Sequence, residues 1–438
     1  MKRNALIGLL LLALSSQNAL GQALNARRMA MGGVVLPGAG GEASNVAYRG
    51  VPIAPGSNSD VALPIGLIPL IANPPVIDPH DPDFNIYELA NTVYNPPWNL
   101  QLVSPEPPSS DILVELGRDH LAVELGEIGR LFPEDRSRVG AVTQGPSLGF
   151  GFRRFFAGAS AVVAYRNDLA LNQPLHGALA DGQPFQTRTE YALYDDGMGE
   201  AAAMLQAGWA GAVMKTGDPR TRAASALYAG VRAKLLRGLA YADAENRIAF
   251  TTTDTLFSSA PIDLDYSGFI RKAGPSGGGW GQGLDLGVVW LLGDLEVGVG
   301  VNDLVNRIDW KVEESVALRD SIVGDFARVI TGQDVPFTSR IPATGTVNVS
   351  TKLGGFLVAA DVMRSLGNTT GHLGVETWLG MLALRSGAHV DANRQLQFGG
   401  GAGLKLGRFG LDLGLATNSR NLSRERGLEL GAGLALYR

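Results

Sequence analysis

From about Pro146 to the end of the chain, apolar and polar positions alternate with period two, in segments that recur roughly every twenty residues. In "GLDLGVVW", Leu284, Leu286, Val288 and Trp290 oppose Asp285, Gly287 and Val289. "LEVGVGVN" sets Leu295, Val297, Val299 and Val301 against Glu296, Gly298, Gly300 and Asn302, and "VNVSTKL" sets Val347, Val349 and Leu353 against Asn348, Ser350 and Lys352. "FGLDLGLA" repeats the pattern with Phe409, Leu411, Leu413 and Leu415 against Gly410, Asp412 and Gly414. The chain ends on "GLELGAGLALYR", where Leu428, Leu430, Leu434 and Leu436 oppose Glu429, Gly431, Gly433, Ala435 and Tyr437. Successive side chains of a strand point to opposite faces, so each segment predicts a strand with one apolar face and one glycine-rich, acidic or amide-bearing face.

A soluble sandwich and a membrane barrel both contain such strands. Strands of about ten residues, in a number too large for one sandwich, select the transmembrane antiparallel β-barrel, whose apolar faces meet lipid. The wall is assigned to residues 146–438, which at about 20 residues per strand and turn gives about 14 strands. One stretch departs from the alternation: "EESVALRDSIVGDFARVI", Glu313 to Ile330, has helical spacing at Val316, Ile322, Phe326 and Ile330 and predicts a helical excursion between strands.

The region before the wall, residues 22–145, has a different composition. "DILVELGRDHLAVELGEI" reads as a hairpin in which Ile112, Val114 and Leu116 answer Leu121, Val123 and Leu125. Residues 51–110 hold 13 of the 23 prolines, which denies them long ladders and predicts loop, with one short helix near Ile86 to Val93. Residues 22–50 are small, glycine-rich and without a strong period.

At the extreme N-terminus, Lys2 and Arg3 precede an apolar run from Ala5 to Leu14 and a small-residue site at Ala19-Leu20-Gly21, the pattern of a secretory signal peptide over residues 1–21. Its loss takes the formal net charge from −5 to −7 and leaves no long basic block, which argues against nucleic acid as a partner. With no cysteine in the chain, disulfides, thiolate metal sites and cysteine nucleophiles are excluded. The 58 glycines, poor in helix interiors, agree with a sheet protein.

"NARRMAMGGVVL", Asn25 to Leu36, resembles the opening that follows the signal peptide in outer-membrane proteins of the FadL-like (long-chain fatty-acid transporter) superfamily, with PorV-like and TraF-like members the nearer likeness. The final strand is similar to the assembly signal of outer-membrane barrels, polar-x-Gly-x-x-φ-x-φ, met by Glu429, Gly431, Leu434 and Leu436. The resemblance implies a bacterial outer-membrane barrel closed by an N-terminal plug, inserted by the barrel-assembly machinery and surrounded by outer-membrane lipid. It implies passage of a hydrophobic ligand through the barrel or its wall. It equally implies the alternative of a PorV-like partner in assembly or secretion, working with an envelope protein and transporting nothing itself.

Other chemistry is weakly signalled. "GPSLG", Gly145 to Gly149, matches Gly-x-Ser-x-Gly, but strand follows where a nucleophile elbow needs a helix, so Ser147 is not a catalytic candidate and no enzyme activity is expected. His80, His120, His176, His372 and His389 lack zinc spacing. Asp78, Asp81 and Asp83 in "DPHDPDFN" are interleaved with proline and read as a solvated acidic loop, not a calcium site. No cofactor is expected.

A barrel of about 14 strands is too wide for side chains alone to fill. Asn25, Arg27, Arg28, Gly32 and Gly33 are therefore the candidate plug residues, and Asp285, Glu296, Glu376 and Asp412 the candidate lumen-lining acids. One or both arginines are expected to meet those carboxylates in charge-assisted hydrogen bonds.

Overall fold

A computed structural model describes residues 26–36, 41–52, 58–63, 99–101, 113–116, 121–124, 136–144, 148–152, 154–217, 225–254, 262–319, 327–390, 396–417 and 427–437. The signal peptide, Asn25, Asp78 to Asp83, the helix expected at 86–93 and Ser147 lie outside the described residues.

The N-terminal segment forms two short helical turns, α1 (Ala26–Ala30) and α2 (Gly41–Ser44), and a 3-10 turn over Val46–Gly50. The strands follow: β1 (Asn58–Leu63), β2 (Asn99–Gln101), β3 (Leu113–Leu116), β4 (Leu121–Glu124), β5 (Arg136–Gln144), β6 (Leu148–Phe152), β7 (Phe155–Leu171), β8 (Glu190–Thr216), β9 (Ser225–Thr252), β10 (Ile262–Ala273) and β11 (Gly278–Leu292). Then come β12 (Leu295–Arg319), β13 (Ala327–Ser339), β14 (Thr344–Leu353), β15 (Phe356–Ser365), β16 (Asn368–Leu379), β17 (Leu382–Val390), β18 (Leu396–Leu406), β19 (Phe409–Thr417) and β20 (Gly427–Tyr437). A helix, α3 (Gln173–Ala180), joins β7 to β8.

All but β3 and β4, which form the expected hairpin by themselves, belong to one 18-stranded antiparallel sheet. Four positions in it are filled by two strands in succession. β1 and β2 both lie on β20, β5 and β6 on β7, β10 and β11 on β9, and β13 and β14 on β12. The eighteen strands thus occupy 14 positions. The sheet curls into a barrel whose staves from β8 round to β20 all touch the N-terminal segment. Among the described residues no ladder joins its two end positions.

The wall takes in more of the chain than 146–438. β5 lies in it, and so do two stretches of the proline-rich region: β1 pairs Asn58 to Leu63 with Tyr437 to Ala432, and β2 pairs Asn99 to Gln101 with Glu429 to Gly427. Residues 58–63 and 99–101 contain no proline, so their N–H groups can serve a ladder. The helical excursion expected at 313–330 is corrected at its two ends, where 313–319 continue β12 and 327–330 begin β13; 320–326, with Ile322 and Phe326, lie outside the described residues. Val316 stands opposite both Phe269 and Val329, and ladders on both sides hold the segment extended whatever its local spacing.

Strand faces follow the alternation in the sequence. Leu286, Val288 and Trp290 are exposed on the outside of β11, while Asp285, Gly287 and Val289 are buried; on β19, Leu411, Leu413 and Leu415 are exposed while Gly410, Asp412 and Gly414 are buried. Among the described residues, four two-residue turns mark one rim, at the registers Leu292↔Leu295, Leu353↔Phe356, Leu379↔Leu382 and Leu406↔Phe409. In each a glycine takes positive φ (Gly293, Gly354, Gly380, Gly407), as a tight hairpin turn requires.

Candidate functional site

The interior of the barrel is layered, and the first layer is the N-terminal segment itself. It runs around the lumen against wall glycines. A Cβ on Gly374 would stand 2.6 Å from Met31 O, and one on Gly230 would stand 2.7 Å from Ala47 N. No residue larger than glycine leaves room for that approach, which explains the glycine face of the strands. Gly32, at φ +70°, sits against the backbone of Ala388, and Gly33 at φ +84° completes the turn.

Charge fixes the position of the segment. Arg27 makes a two-pronged contact with Glu376, Nε to Oε2 and Nη2 to Oε1, both at 2.8 Å. Glu376 also accepts from Arg385 Nε at 2.7 Å, and Arg385 reaches on to Asp412. Arg28 turns back on its own chain, donating to the carbonyls of Val34 (3.0 Å) and Gly33 (3.1 Å). Further round, Val35 N donates to Asp361 Oδ2 at 2.6 Å, and the other oxygen of Asp361 holds His372 Nδ1 at 2.6 Å. Asn45 accepts from Ala47 N and donates to Val288 O, each at 3.0 Å. Tyr48 donates to Glu296 Oε1 at 2.6 Å. Burial first, and then the Glu296 carboxylate beside it, raise the Tyr48 hydroxyl well above the ordinary tyrosine range, so it remains a donor.

The second layer lies beyond the segment, on β9, β11 and β12. Asp285 takes Arg232 and, at 2.8 Å, Lys234 Nζ; Lys234 also reaches Asp303 at 2.9 Å. Asp303 is a non-glycine residue at φ +56°, held there by its N–H to Asp285 Oδ1 at 2.8 Å. The four charges are buried and cancel in pairs.

The third layer is apolar. Val162, Ala164, Ala202, Met204, Leu236, Tyr241, Ile308, Trp310 and Val312 point inward from β7, β8, β9 and β12 and meet Ile341 in one buried cluster. Ile341 belongs to a four-residue stretch, 340–343, that leaves the wall between β13 and β14. Asn306 takes over its backbone pairing, accepting from Ile341 N at 2.7 Å and donating to its carbonyl. Trp310 Nε1 is satisfied by Ser339 Oγ at 2.8 Å, and Ser339 in turn donates to Glu200.

The four candidate lumen acids are thus all buried and inward, but they do not form one anionic surface. Glu376 and Asp412 share Arg385, Asp285 has Arg232 and Lys234, and Glu296 has Tyr48. In the last strand Gly431 is buried against Met29, Leu434 is exposed, and Glu429 and Leu436 pair with Ala416 and Phe409, their side chains lying outside the described residues. Arg385, Arg232, Lys234, Asp361 and Tyr48 were not singled out in the sequence. Four of them share the parity of small inward neighbours (Arg385 with Gly387, Arg232 and Lys234 with Gly230, Asp361 with Ala359), and that parity is the signal the sequence offers. Among the described residues no group of three or more His, Cys, Asp or Glu is placed to hold a metal.

No family model and no curated protein matches the sequence. Among solved structures, the toluene transporter TbuX of Ralstonia pickettii is similar at 14% identity and TM-score 0.30, covering 70% of this chain and 91% of its own. The toluene transporter TodX of Pseudomonas putida stands at 12% and 0.26, covering 69% and 89%. The translocator domain of the autotransporter NalP from Neisseria meningitidis stands at 11% and 0.16, covering 69% and 88%. At these scores the likeness adds nothing to what the strand pairing shows directly: an antiparallel barrel around an N-terminal plug.

Proposed function

We propose that the protein is exported by its signal peptide to the bacterial outer membrane, where the barrel-assembly machinery inserts it, and that it passes hydrophobic small molecules through its plugged lumen. The observation that carries this reading is the apolar third layer. A water-filled channel has a polar interior, whereas this lumen buries Met204, Leu236, Ile308, Trp310 and Ile341 above the plug. Leucine and valine on the outside and a packed apolar cluster inside give a hydrophobic solute two apolar environments. The protein is read as a non-enzyme.

The test is uptake of an apolar fluorophore into proteoliposomes that contain the mature protein or a variant lacking residues 22–33. The shortened protein should assemble normally, admit the probe faster and show higher single-channel conductance. Unchanged uptake and conductance, with an envelope protein copurifying in stoichiometric amount, would establish the PorV-like secretion partner instead.

A further inference from the structure

The outer surface of β9, β11 and β12 changes character at a definite height. Trp290 lies near the rim of tight turns and Trp280 ten residues farther along the same strand, roughly 33 Å at strand rise and about 25 Å once strand tilt is allowed for. That is the height of the apolar band of a membrane barrel, with a tryptophan at each boundary. Exposed Leu286 and Val288 on β11 and Val305 on β12 lie between the two levels.

At the Trp280 level the exposed residues become cationic. The Arg237 guanidinium lies 5.6 Å from the centre of the Trp280 ring. Along β12 the outward series reads Val305, Arg307, Asp309, Lys311. One position past the last rung of the β12–β13 ladder, Ile308↔Ser339, Arg340 comes level with Arg307. Asp309 is the acid within this group, 3.6 Å from Arg307 Nη2 and already accepting from Thr338 Oγ1 at 2.9 Å. A cleft of about 530 Å³ adjoins it, lined by Lys311, Ser276, Gln333, Asp334 and Lys272, the last paired with Glu313 at 3.2 Å.

The wall is notched beside this group, on the side toward the apolar band. The β12 ladder passes from Asn302↔Thr344 directly to Ile308↔Ser339, because the chain leaves the ladder after Ser339 and Ile341 turns inward onto Asn306, while Arg340 stays exposed. Leu304 and Val305 are left 47% and 59% exposed with no strand beside them on that side.

An apolar slot within the membrane, topped by cations at the boundary, has the polarity of a single anionic lipid. From Arg307, with Arg340 beside it, to Lys311 four residues farther along β12 the cations span on the order of 13 Å at strand rise, which is wider than one phosphodiester and suits a headgroup bearing two phosphates. Short turns lie on the periplasmic side of bacterial barrels, which sets the Trp280 level at the outer leaflet. We infer that the notch seats a bis-phosphorylated glycolipid of that leaflet, with an acyl chain against Leu304 and Val305 and phosphates on Arg307, Lys311 and Arg340. The inference rests on the outer-membrane reading above.

The test is native mass spectrometry of the mature protein in mild detergent, incubated with bis-phosphorylated lipid A, with the same lipid after phosphate removal, or with phosphatidylglycerol. The wild type should retain the bis-phosphorylated lipid at least about tenfold better than either alternative, since two added charge-assisted contacts of ~0.7 kcal/mol each suffice for that factor. The Arg307→Gln/Lys311→Gln/Arg340→Gln protein should lose the preference, while Lys352→Gln at the opposite rim should keep it. Equal retention of the dephosphorylated lipid or of phosphatidylglycerol by the wild type, a measurement that needs no variant, would overturn the inference, as would an unchanged preference in the triple variant. A protein found outside the membrane fraction would instead sink the localisation on which the inference rests.

Discussion

The two sides of the barrel solve different problems with the same alternating strand. From β14 to β20 the staves are 9 to 12 residues long, close to what one tilted crossing of a membrane needs, and their inner face is mainly glycine, small polar residues and buried charge pressed on the plug. On the other side β8, β9 and β12 run 27, 28 and 25 residues, more than twice that length, and beyond the plug they carry a charged layer and then an apolar one. Where the lumen is filled by main chain, the wall offers glycine and hydrogen-bonding partners. Where it is filled by side chains, the wall supplies its own hydrophobic core. The difference teaches that inward-facing composition reports what occupies the lumen at each height, not the wall alone.

Substitutions can break that contrast on either side. The largest effect is expected from Glu376→Ala in the short staves, which leaves Arg27 and Arg385 buried without their shared carboxylate, at a cost of about 3–5 kcal/mol. It should lower the temperature at which the barrel unfolds in gel-shift assays and raise single-channel conductance as the plug loosens. Trp310→Ala, in the tall side, should cost a similar 3–5 kcal/mol through the cavity it opens, but should alter uptake of an apolar probe without freeing the plug. If both variants raised conductance equally, the layering would have no functional meaning.

Leu413→Arg, on the lipid face of β19, should cost about 2–4 kcal/mol near midplane and be read as slower assembly into vesicles; assembly at the wild-type rate would overturn the outward facing of that strand. Tyr48→Phe removes the donor to Glu296 and leaves a buried carboxylate short of a partner, a loss of about 1–3 kcal/mol measurable by denaturant titration of the folded barrel. The smallest effect sharpens the comparison most: Gly199→Ala and Gly345→Ala, where a Cβ would meet nothing within 4 Å, should shift stability by less than about 0.5 kcal/mol, whereas Gly374→Ala should disturb the plug.

Strand facing was legible because period two needs no knowledge of the partners: Leu286 and Asp285, or Leu413 and Asp412, are assigned by parity alone. The approach of Arg27 to an inward acid was legible for the same reason, since a glycine face leaves space and its acids need counter-charges. The partner of each acid was not, because it is set by register across strands far apart in sequence. Glu376 stands opposite Arg385 only once β16 and β17 are aligned. The stretch 313–319 was misread because its residues fit a helical period as well as a strand, and only the ladders from β10 and β13 decide between them. The apolar layer escaped notice although Leu236 and Trp310 keep the inward parity of Gly230 and Gly300, because alternation tells which face a residue is on and not the height at which the inward face turns from glycine and charge to apolar side chains.

The plug meets the staves in reverse order: Ala26 against β19, Met31 against β16 and β17, Val35 against β15, Asn45 against β11 and β12, and Gly50 against β8. Its hydrogen bonds to the wall join residues as many as 349 positions apart, as Arg27 to Glu376 does. A segment synthesised before the wall strands therefore acquires its full surroundings only after β19 has been made. Loop-closure entropy makes such distant pairings slow to form. The plug should consequently gain protection from proteases late, after the gel mobility of the barrel has already become that of the folded form, and a pulse of protease during refolding would record the interval between the two events.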